Sequence, residues 1–303
     1  MPPRSPLPPR HGLGAAWLRT PDRDLPDPWS TMGAWLRHRL PERVDVPGLL
    51  AEQRFVYDDG LAVAEDDRYS PHTFVWFHRD LPDEVEVPGE VRIVHRDERL
   101  LVVDKPAFLS TIPRGQHVRQ SVVVRLRDEL GLPELSPLHR LDRITSGLLM
   151  LATERRWRGP YQTMFQDGEV RKTYWALAPW RADLELPVVV RNHLVKRRGS
   201  WQVDVVPDAP VNAETLVELE SREGDLGVYR LSPRTGRTHQ LRVHLHGLGI
   251  PIVDDPLYPE VQDIAIGDFS RPLQLLAGEL SFTDPVDGTQ REFRSLRELP
   301  LRS

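Results

Sequence analysis

A charged stretch that leads directly into an uninterrupted apolar segment constrains the fold of this chain most. Residues 138–147 read L-H-R-L-D-R-I-T-S-G, and the apolar run Leu148–Ala152 follows at once. A run of this length is too short to span a membrane and suits a buried β-strand. Asp142 is flanked by Arg140 and Arg143, and a carboxylate beside guanidinium groups stays ionised. The pattern predicts an ionised carboxylate at the edge of a buried strand, as a salt-bridge partner, a metal ligand or a nucleophile.

Composition limits the class of protein. A chain of 303 residues with 39% apolar content has room for one large domain or two unequal ones. The absence of cysteine excludes disulfides, thiolate catalysis and thiolate zinc sites. No apolar stretch has the length of a membrane span or of a signal-peptide core, so we expect a cytoplasmic protein without membrane contact. A net charge of -5 argues against nucleic-acid binding over the whole surface but allows a local basic groove.

The sequence predicts a small unit followed by a larger one. Residues 1–26 are rich in proline and are expected to form a flexible or extended arm. Residues 27–80 predict a small α+β module, with two short helices, the first capped by Thr31, followed by a small sheet. This order resembles the S4-like RNA-binding module of a ribosomal small-subunit protein, and a generic α+β cap fits it equally well. Residues 81–90 are acidic and bounded by proline, as in a linker, and 91–303 form the larger unit.

Several ordered motifs of the larger unit resemble one enzyme family. The string H-R-L-D-R-I-T-S-G at 139–147 is similar to the catalytic motif H-R-L-D-x-x-T-S-G of pseudouridine synthases that modify ribosomal and transfer RNA, the RluA type. Further motifs of that family resemble D-K-P at 104–106 and K-T-Y-W-A at 172–176. The strings G-R-T-H-Q-L-R-V-H at 236–244 and I-V-D-D-P-L-Y at 252–258 resemble two more. Residues 91–303 are therefore identified as a pseudouridine synthase catalytic domain.

The chain departs from the family pattern at a few loop positions. Phe108 and Ile112 stand where the family usually has glycine and histidine. Asp254 and Pro259 stand where glycine is more common, so we expect an altered loop geometry there. Leu276 replaces the histidine of an L-H-A stretch.

The resemblance implies an α+β fold with a central, largely antiparallel mixed sheet. It also implies isomerisation of uridine to pseudouridine in structured RNA without metal or organic cofactor. An ionised aspartate can form a covalent intermediate without a cofactor. Asp142 is the expected nucleophile, and it attacks either the sugar or the base. Arg242 is expected to hold Asp142, and Tyr174 to lie beside the target uracil. The residues expected to bind substrate are Arg140, His139, Lys105, Lys172 and Leu275.

Two other classes of function remain open from the residues. A non-catalytic RNA-binding protein could retain the fold, although the set of Asp142, Tyr174 and Arg242 argues against it. A metal-dependent hydrolase could use the histidines at 239, 244 and 246, but their spacing does not place all three on one helical face. Thr238 is the expected N-cap of the helix that carries them. We expect a monomer that binds RNA and carries no metal.

Overall fold

The chain divides into two compact units, Met1–Asp83 and Glu84–Ser303. The computed structural model of the protein describes residues 2–21, 29–115, 117–265 and 267–301. Part of the expected flexible arm, residues 22–26, lies outside the described residues.

The first unit combines two short helices with a two-stranded antiparallel sheet. Its elements are β1 (Ala16–Arg19), α1 (Met32–Arg39), α2 (Val46–Ala51) and β2 (Phe74–Phe77), and β1 pairs with β2. The Thr31 side chain caps α1 by accepting a hydrogen bond from the Ala34 amide at 3.2 Å, as predicted. Within the expected flexible or extended arm, Ala16–Arg19 form the strand β1. Leu18 packs on the apolar core of this unit, which holds the strand in place.

The second unit is organised around a large mixed sheet. Its elements in chain order are β3 (Arg92–Arg96), β4 (Leu100–Lys105), α3 (Val122–Leu130), β5 (Ser136–Pro137), β6 (Ser146–Ala152), α4 (Arg155–Gln166), β7 (Arg171–Pro179), β8 (Val188–Asn192), β9 (Leu194–Val195), β10 (Asp204–Val205), β11 (Ala213–Glu223), β12 (Leu226–Pro233), α5 (Gln240–Gly247), β13 (Leu275–Thr283) and β14 (Gln290–Arg294). The main strand order is β3-β4-β6-β13-β7-β12-β11-β8, and β9 and β10 form a separate hairpin. β6 and β13 run parallel, whereas the neighbouring pairs are antiparallel. The predicted fold class, with a largely antiparallel mixed sheet, is confirmed.

The apolar run that follows the charged stretch is the buried strand β6, as predicted. It pairs with β4 on one side and with β13 on the other. Gly147 lies at the close contact with β13 and has φ +107°. A Cβ atom at this position would lie 2.2 Å from the Ala277 carbonyl oxygen. Glycine is therefore required where the charged motif enters the sheet.

Helices cover both faces of the sheet because residues of β4 and β6 alternate between two apolar cores. One core contains Leu101 and Leu149, and α3 and α5 pack against it through Leu126 and Leu245. The other core contains residues of the opposite faces together with two side chains of α4, including Leu100, Leu148, Tyr161 and Met164. This alternation is the period of two expected for strands that are buried on both sides.

Helix α5 begins one residue later than the sequence predicts. His239, not Thr238, is the N-cap, and it has the left-handed backbone conformation with φ +55°. The buried Gln240 side chain closes the preceding turn, because its Oε1 atom accepts hydrogen bonds from the Arg237 amide at 3.0 Å and the Thr235 hydroxyl at 2.7 Å. The Gln240 side chain therefore fixes the turn before α5, whereas no side chain caps the first amides of the helix among the described residues.

Candidate active site

A pocket of about 840 Å³ lies where β7 and β13 begin and where β12 leads into α5. It is lined by the charged motif, by the end of α4 and by the start of α5. Among the described lining residues the charged side chains comprise one acid and five bases, namely Asp142 with Arg140, Lys172, Arg234, Arg237 and Arg242. Such a pocket attracts a polyanion and directs it to a single carboxylate.

The backbone on both sides of Asp142 is fixed by buried side chains. The Thr111 hydroxyl donates to the Leu141 carbonyl at 2.8 Å and accepts from the Leu141 amide at 3.2 Å. The Lys105 ammonium donates to the Arg143 carbonyl at 3.1 Å. The carbonyl of Asp142 itself accepts from the Thr145 amide at 3.1 Å. Asp142 is thus presented on a rigid turn, which favours a defined position of its carboxylate.

Arg242 faces Asp142 while a second, buried aspartate holds its guanidinium. Its Nε and Nη2 atoms donate to the two carboxylate oxygens of Asp255 at 2.7 Å and 2.6 Å. Its Nη1 atom lies 3.5 Å from Oδ2 of Asp142. Burial opposes the charge of Arg242, but the hydrogen bonds and charge of Asp255 outweigh burial and raise its pKa. One guanidinium group therefore carries a fixed positive charge toward Asp142.

His239 and Tyr258 complete this side of the site. His239 Nε2 lies 3.9 Å from Asp142 Oδ2, and His239 Nδ1 lies 3.1 Å from the Tyr258 hydroxyl. Burial lowers the pKa of His239 to about 4, so the imidazole is neutral at pH 7. The Tyr258 ring also lies under the Arg242 guanidinium, with 5.2 Å between the guanidinium carbon and the ring centroid.

Tyr174 and Leu275 form an apolar wall of the same pocket. Tyr174 lies on β7 opposite Ala277 of β13, and Leu275 lies opposite Ala176. Burial and, to a smaller degree, the charge of Asp142 raise the pKa of Tyr174. The hydroxyl is therefore protonated at neutral pH, and the residue presents a flat, uncharged ring to the pocket.

The sequence of the chain is similar to proteins of one family. The family described as RNA pseudouridylate synthase matches residues 99–247. The dual-specificity RNA pseudouridine synthase RluA of Yersinia pestis is 32% identical over 218 residues, which cover 67% of this chain and 97% of that protein. The chain belongs to the RNA pseudouridine synthase family.

Human proteins of the same family are also similar to this synthase in sequence and in structure. Human pseudouridylate synthase RPUSD2 is 36% identical over 186 residues, which cover 61% of this chain and 33% of that protein. The synthase therefore matches about a third of that relative's length. The solved structure of human RNA pseudouridylate synthase domain containing 4 has a TM-score of 0.52 and 27% identity, over 69% of this chain and 88% of that chain. The solved structure of human RNA pseudouridylate synthase domain containing 1 has the same TM-score of 0.52 and 25% identity, over 72% of this chain and 94% of that chain.

Lys105 does not face the pocket of the synthase. Its side chain is 0% exposed, and its ammonium also donates to the carbonyl oxygens of Pro106 and Leu109, each at 2.9 Å. Burial is the main cause that lowers its pKa to about 7. The prediction that Lys105 contacts substrate is wrong for this reason, and the residue instead fixes the turn that carries Asp142.

The other expected substrate-binding side chains line the pocket. The His139 ring stacks on Phe165, and its Nε2 atom accepts from the Met150 amide at 3.1 Å. Burial and then the charge of Lys172 lower the pKa of His139 to about 3. The Lys172 ammonium lies 3.5 Å from the Thr235 carbonyl oxygen, and burial lowers its pKa as well. Leu275 and Arg140 also line the pocket.

The arginines next to Asp142 in sequence are not its partners in space. The Arg143 guanidinium lies over the Phe108 ring, 5.8 Å from its centroid. Arg140 is exposed, and in the described ranges no carboxylate lies within ion-pair distance of it. The flanking arginines therefore do not pair with Asp142, whereas Arg242, which the resemblance named as its partner, lies 3.5 Å from it.

Two loop positions at which the family favours glycine keep the backbone conformation that glycine supplies. Phe108 has φ +66° and Asp254 has φ +58°. This region is unfavourable for most side chains and is tolerated better by aspartate than by phenylalanine. At Asp254 this conformation is the one that glycine adopts most readily.

Asp255 and Thr111 were missed as supporting residues. Asp255 Oδ1 accepts from the amides of Leu257 and Tyr258 at 2.9 Å and 3.2 Å. An aspartate two and three residues before such amides is a local turn signal that the sequence does contain. Its bond to Arg242 and the bond of Thr111 to Leu141 join distant segments, and the sequence contains no local signal for them.

The remaining predictions concern a metal site built from histidines and a membrane span. The His244 Nε2 atom lies 3.0 Å from Oδ1 of Asn192 on β8. In the part of the chain that is described, no three His, Asp or Glu side chains are grouped so that they could hold a metal ion. No helix within the described ranges is long and apolar enough to cross a membrane.

Proposed function

We propose that the synthase converts specific uridines of ribosomal or transfer RNA to pseudouridine, with Asp142 as the nucleophile. The observation that carries this proposal is the single carboxylate among the charged residues that line the basic pocket, with Arg242 Nη1 at 3.5 Å from it. The names of the relatives, which include a yeast mitochondrial tRNA pseudouridine(32) synthase at 30% identity, support RNA as the substrate.

The reaction breaks the bond between uracil N1 and the ribose and forms a bond from uracil C5, which loses its proton. Asp142 forms the transient covalent bond that spans these two events. Arg242 places a positive charge 3.5 Å from the carboxylate, and Asp255 holds the guanidinium so that it does not close fully onto it. Asp142 therefore remains available to attack.

The detached ring must turn without leaving the site. Tyr174 and Leu275 supply the apolar surface on which it can rotate. Covalent bonding moves the negative charge of Asp142 onto the uracil ring that lies against Tyr174. The Tyr174 hydroxyl can give its proton to ring nitrogen N1, and its oxygen can then accept the proton that C5 loses, which restores the residue.

The target nucleotide has to leave its stack before it reaches Asp142, at a cost of about a few kcal/mol. Arg140 is exposed beside the nucleophile and can occupy the vacated space or bind a phosphate. Lys172, Arg234 and Arg237 extend positive charge along the same pocket. The first unit, with Arg39 at the end of α1, adds RNA affinity in this proposal.

Asp142→Asn tests the proposal, with Asp254→Asn as the matched control. The two aspartates have similar side-chain exposure, 30% and 25%, but Asp254 does not line the pocket. We expect Asp142→Asn to reduce pseudouridine formation in ribosomal and transfer RNA transcripts by about 10³-fold or more, because an amide is not an anionic nucleophile. RNA affinity should remain close to that of the wild type. Wild-type turnover by Asp142→Asn, measured by nucleoside mass spectrometry, would refute the role of Asp142.

A further inference from the structure

The β9–β10 hairpin carries three consecutive cations that have different surroundings. The Lys196 ammonium folds back and donates to the carbonyl oxygens of Ser200 at 2.7 Å and Trp201 at 2.6 Å. Arg197 donates to Asp204 at 2.8 Å. Arg198 is exposed, and no hydrogen bond or ion pair joins it to another described residue. Of these three cations, the first shapes the turn, the second is neutralised, and the third is free to meet an anion.

Trp201 stands next to this free guanidinium and is 73% exposed. Large aromatic side chains are normally buried, as Trp35 at 1% and Trp76 at 4% are in this protein. Within the described ranges no aromatic ring or cation stacks on Trp201. A rigid, uncovered ring beside an unpaired guanidinium indicates a surface built for contact with another molecule.

The hairpin is tied to the active site at its base. The Val203 amide donates to the Tyr258 hydroxyl at 2.9 Å, and the same hydroxyl contacts His239 Nδ1 at 3.1 Å. The Gln202 amide group also donates to the Leu257 carbonyl. Burial and then the charge of Arg114 lower the pKa of Lys196, the charge of Asp142 raises it, and that of Arg242 lowers it. The residues from Lys196 to Gln202 therefore form a lip beside the pocket, on the side of Tyr258.

We propose that Trp201 stacks on an unpaired base next to the target uridine and that Arg198 contacts the adjoining phosphate. This inference rests on the proposed function, because a uridine drawn into the pocket leaves its neighbours without a stacking partner. Single-stranded RNA is bound by aromatic rings that stack on bases and by cations that follow the backbone, and the lip offers both. The adjoining pocket is lined by five basic residues and one acidic residue, which favours RNA over an apolar or basic protein partner.

Trp201→Leu and Trp201→Phe separate stacking from simple apolar contact. Both variants are made in the full-length Asp142→Asn protein, so that binding is measured without turnover. The probe is a synthetic RNA hairpin with a uridine in its loop, and a second hairpin has an abasic nucleotide beside that uridine. We expect Trp201→Leu to weaken binding of the intact hairpin by about 5- to 150-fold, the range for loss of one stacked base. Trp201→Phe should retain most of the affinity, and the abasic hairpin should bind the two variants almost equally.

Arg198→Ala tests the phosphate contact, and Arg92→Ala is its matched control. Arg92 is an exposed arginine on the edge strand β3, does not line the pocket and forms no ion pair with another described residue. Loss of one phosphate contact to a single strand should reduce the slope of log affinity against log salt concentration by about 0.7 in Arg198→Ala only. Equal slopes in the two variants would overturn the phosphate contact.

The stacking proposal and the proposed function can fail separately. Pseudouridine formation by the wild type, together with a Trp201→Leu affinity within about twofold of its parent, overturns stacking alone. A wild type that forms no pseudouridine refutes the proposed function. If Trp201→Leu still loses affinity in that case and Trp201→Phe does not, the RNA contact stands.

Discussion

Replacing Asp255 by asparagine should destabilise the synthase and slow it, because Asp255 orients Arg242. The Asp255 side chain is 0% exposed, and each of its oxygens accepts at least one hydrogen bond. If the one oxygen of the asparagine side chain keeps the contacts of Oδ1 to Arg242 Nη2 and to the Leu257 and Tyr258 amides, the new NH₂ group must face Arg242 Nε. One bond to a charged group is then lost, and a buried guanidinium loses its nearest counter-charge.

These contacts determine how far Asp255→Asn should lower the free energy of unfolding and kcat. A hydrogen bond to a charged group contributes about 1.5–3 kcal/mol, and removing one partner of a buried ion pair costs about 3–5 kcal/mol. Asp142 lies 3.5 Å from Arg242 and remains as a counter-charge, so the lower end applies. We expect the free energy of unfolding in urea to fall by about 3 kcal/mol. The released guanidinium shifts toward Asp142, and a displacement of about 1 Å should lower kcat by about 10- to 100-fold.

Urea unfolding and steady-state pseudouridine formation at saturating RNA measure the two effects. Asp254→Asn is the control, because asparagine tolerates the left-handed conformation of this neighbouring residue, and it should change stability by less than about 0.5 kcal/mol. If Asp255→Asn and Asp254→Asn have the same unfolding midpoint and the same kcat, the assignment of Asp255 as the residue that positions Arg242 is wrong.

Three further outcomes are expected. Gly147→Ala should destabilise the protein by about 2–4 kcal/mol in urea, because the new methyl group meets the Ala277 carbonyl at a positive φ; an unchanged midpoint would contradict that contact. Burial holds the pKa of His139 at about 3 in the fold, below its ordinary 6.5, so the unfolded chain binds the proton more readily. The contribution of His139 to the free energy of unfolding is complete above about pH 6.5. It falls by about 1.4 kcal/mol per pH unit as the pH decreases toward 3. Urea titrations of His139→Gln should show a shallower pH dependence than the wild type between pH 6.5 and 4.5, and parallel curves would contradict this reasoning. Deletion of residues 1–83 should leave a folded catalytic unit with lower RNA affinity and a weaker salt dependence, since phosphate contacts release counterions; an unfolded product or an unchanged affinity would argue against an RNA-binding role.

Local patterns in the sequence predicted much of the fold. The apolar run after the charged motif became β6, and the helix before Gly131 ends with that residue in the left-handed conformation, at φ +64°. Each of these features is decided by residues within a few positions of one another. The strand β1 was missed because it is short, lies among prolines and is held by packing on distant residues.

Only those residues of the site that belong to recognisable motifs could be predicted from the sequence. Resemblance named Asp142, Tyr174 and Arg242, and all three line one pocket. It could not reveal that Arg143 turns onto Phe108, because the direction of a side chain depends on tertiary packing. Lys105 was expected to bind substrate because D-K-P resembles a family motif, and a motif does not show whether its ammonium is buried, as it is here.

The parallel pairing of β6 with β13 has a consequence for the time at which the enzyme becomes active during its synthesis. β6 carries the end of the Asp142 motif, but Leu275, which forms part of the opposite wall, belongs to a strand made more than a hundred residues later. Chains emerge from the ribosome in order, and contacts between distant segments form late. Until β13 has emerged, a nascent chain has Asp142, the proposed nucleophile, but lacks Leu275 in the surface on which the base is proposed to turn. Such a chain grows beside ribosomal RNA, one of its two proposed substrates, before its active site is complete.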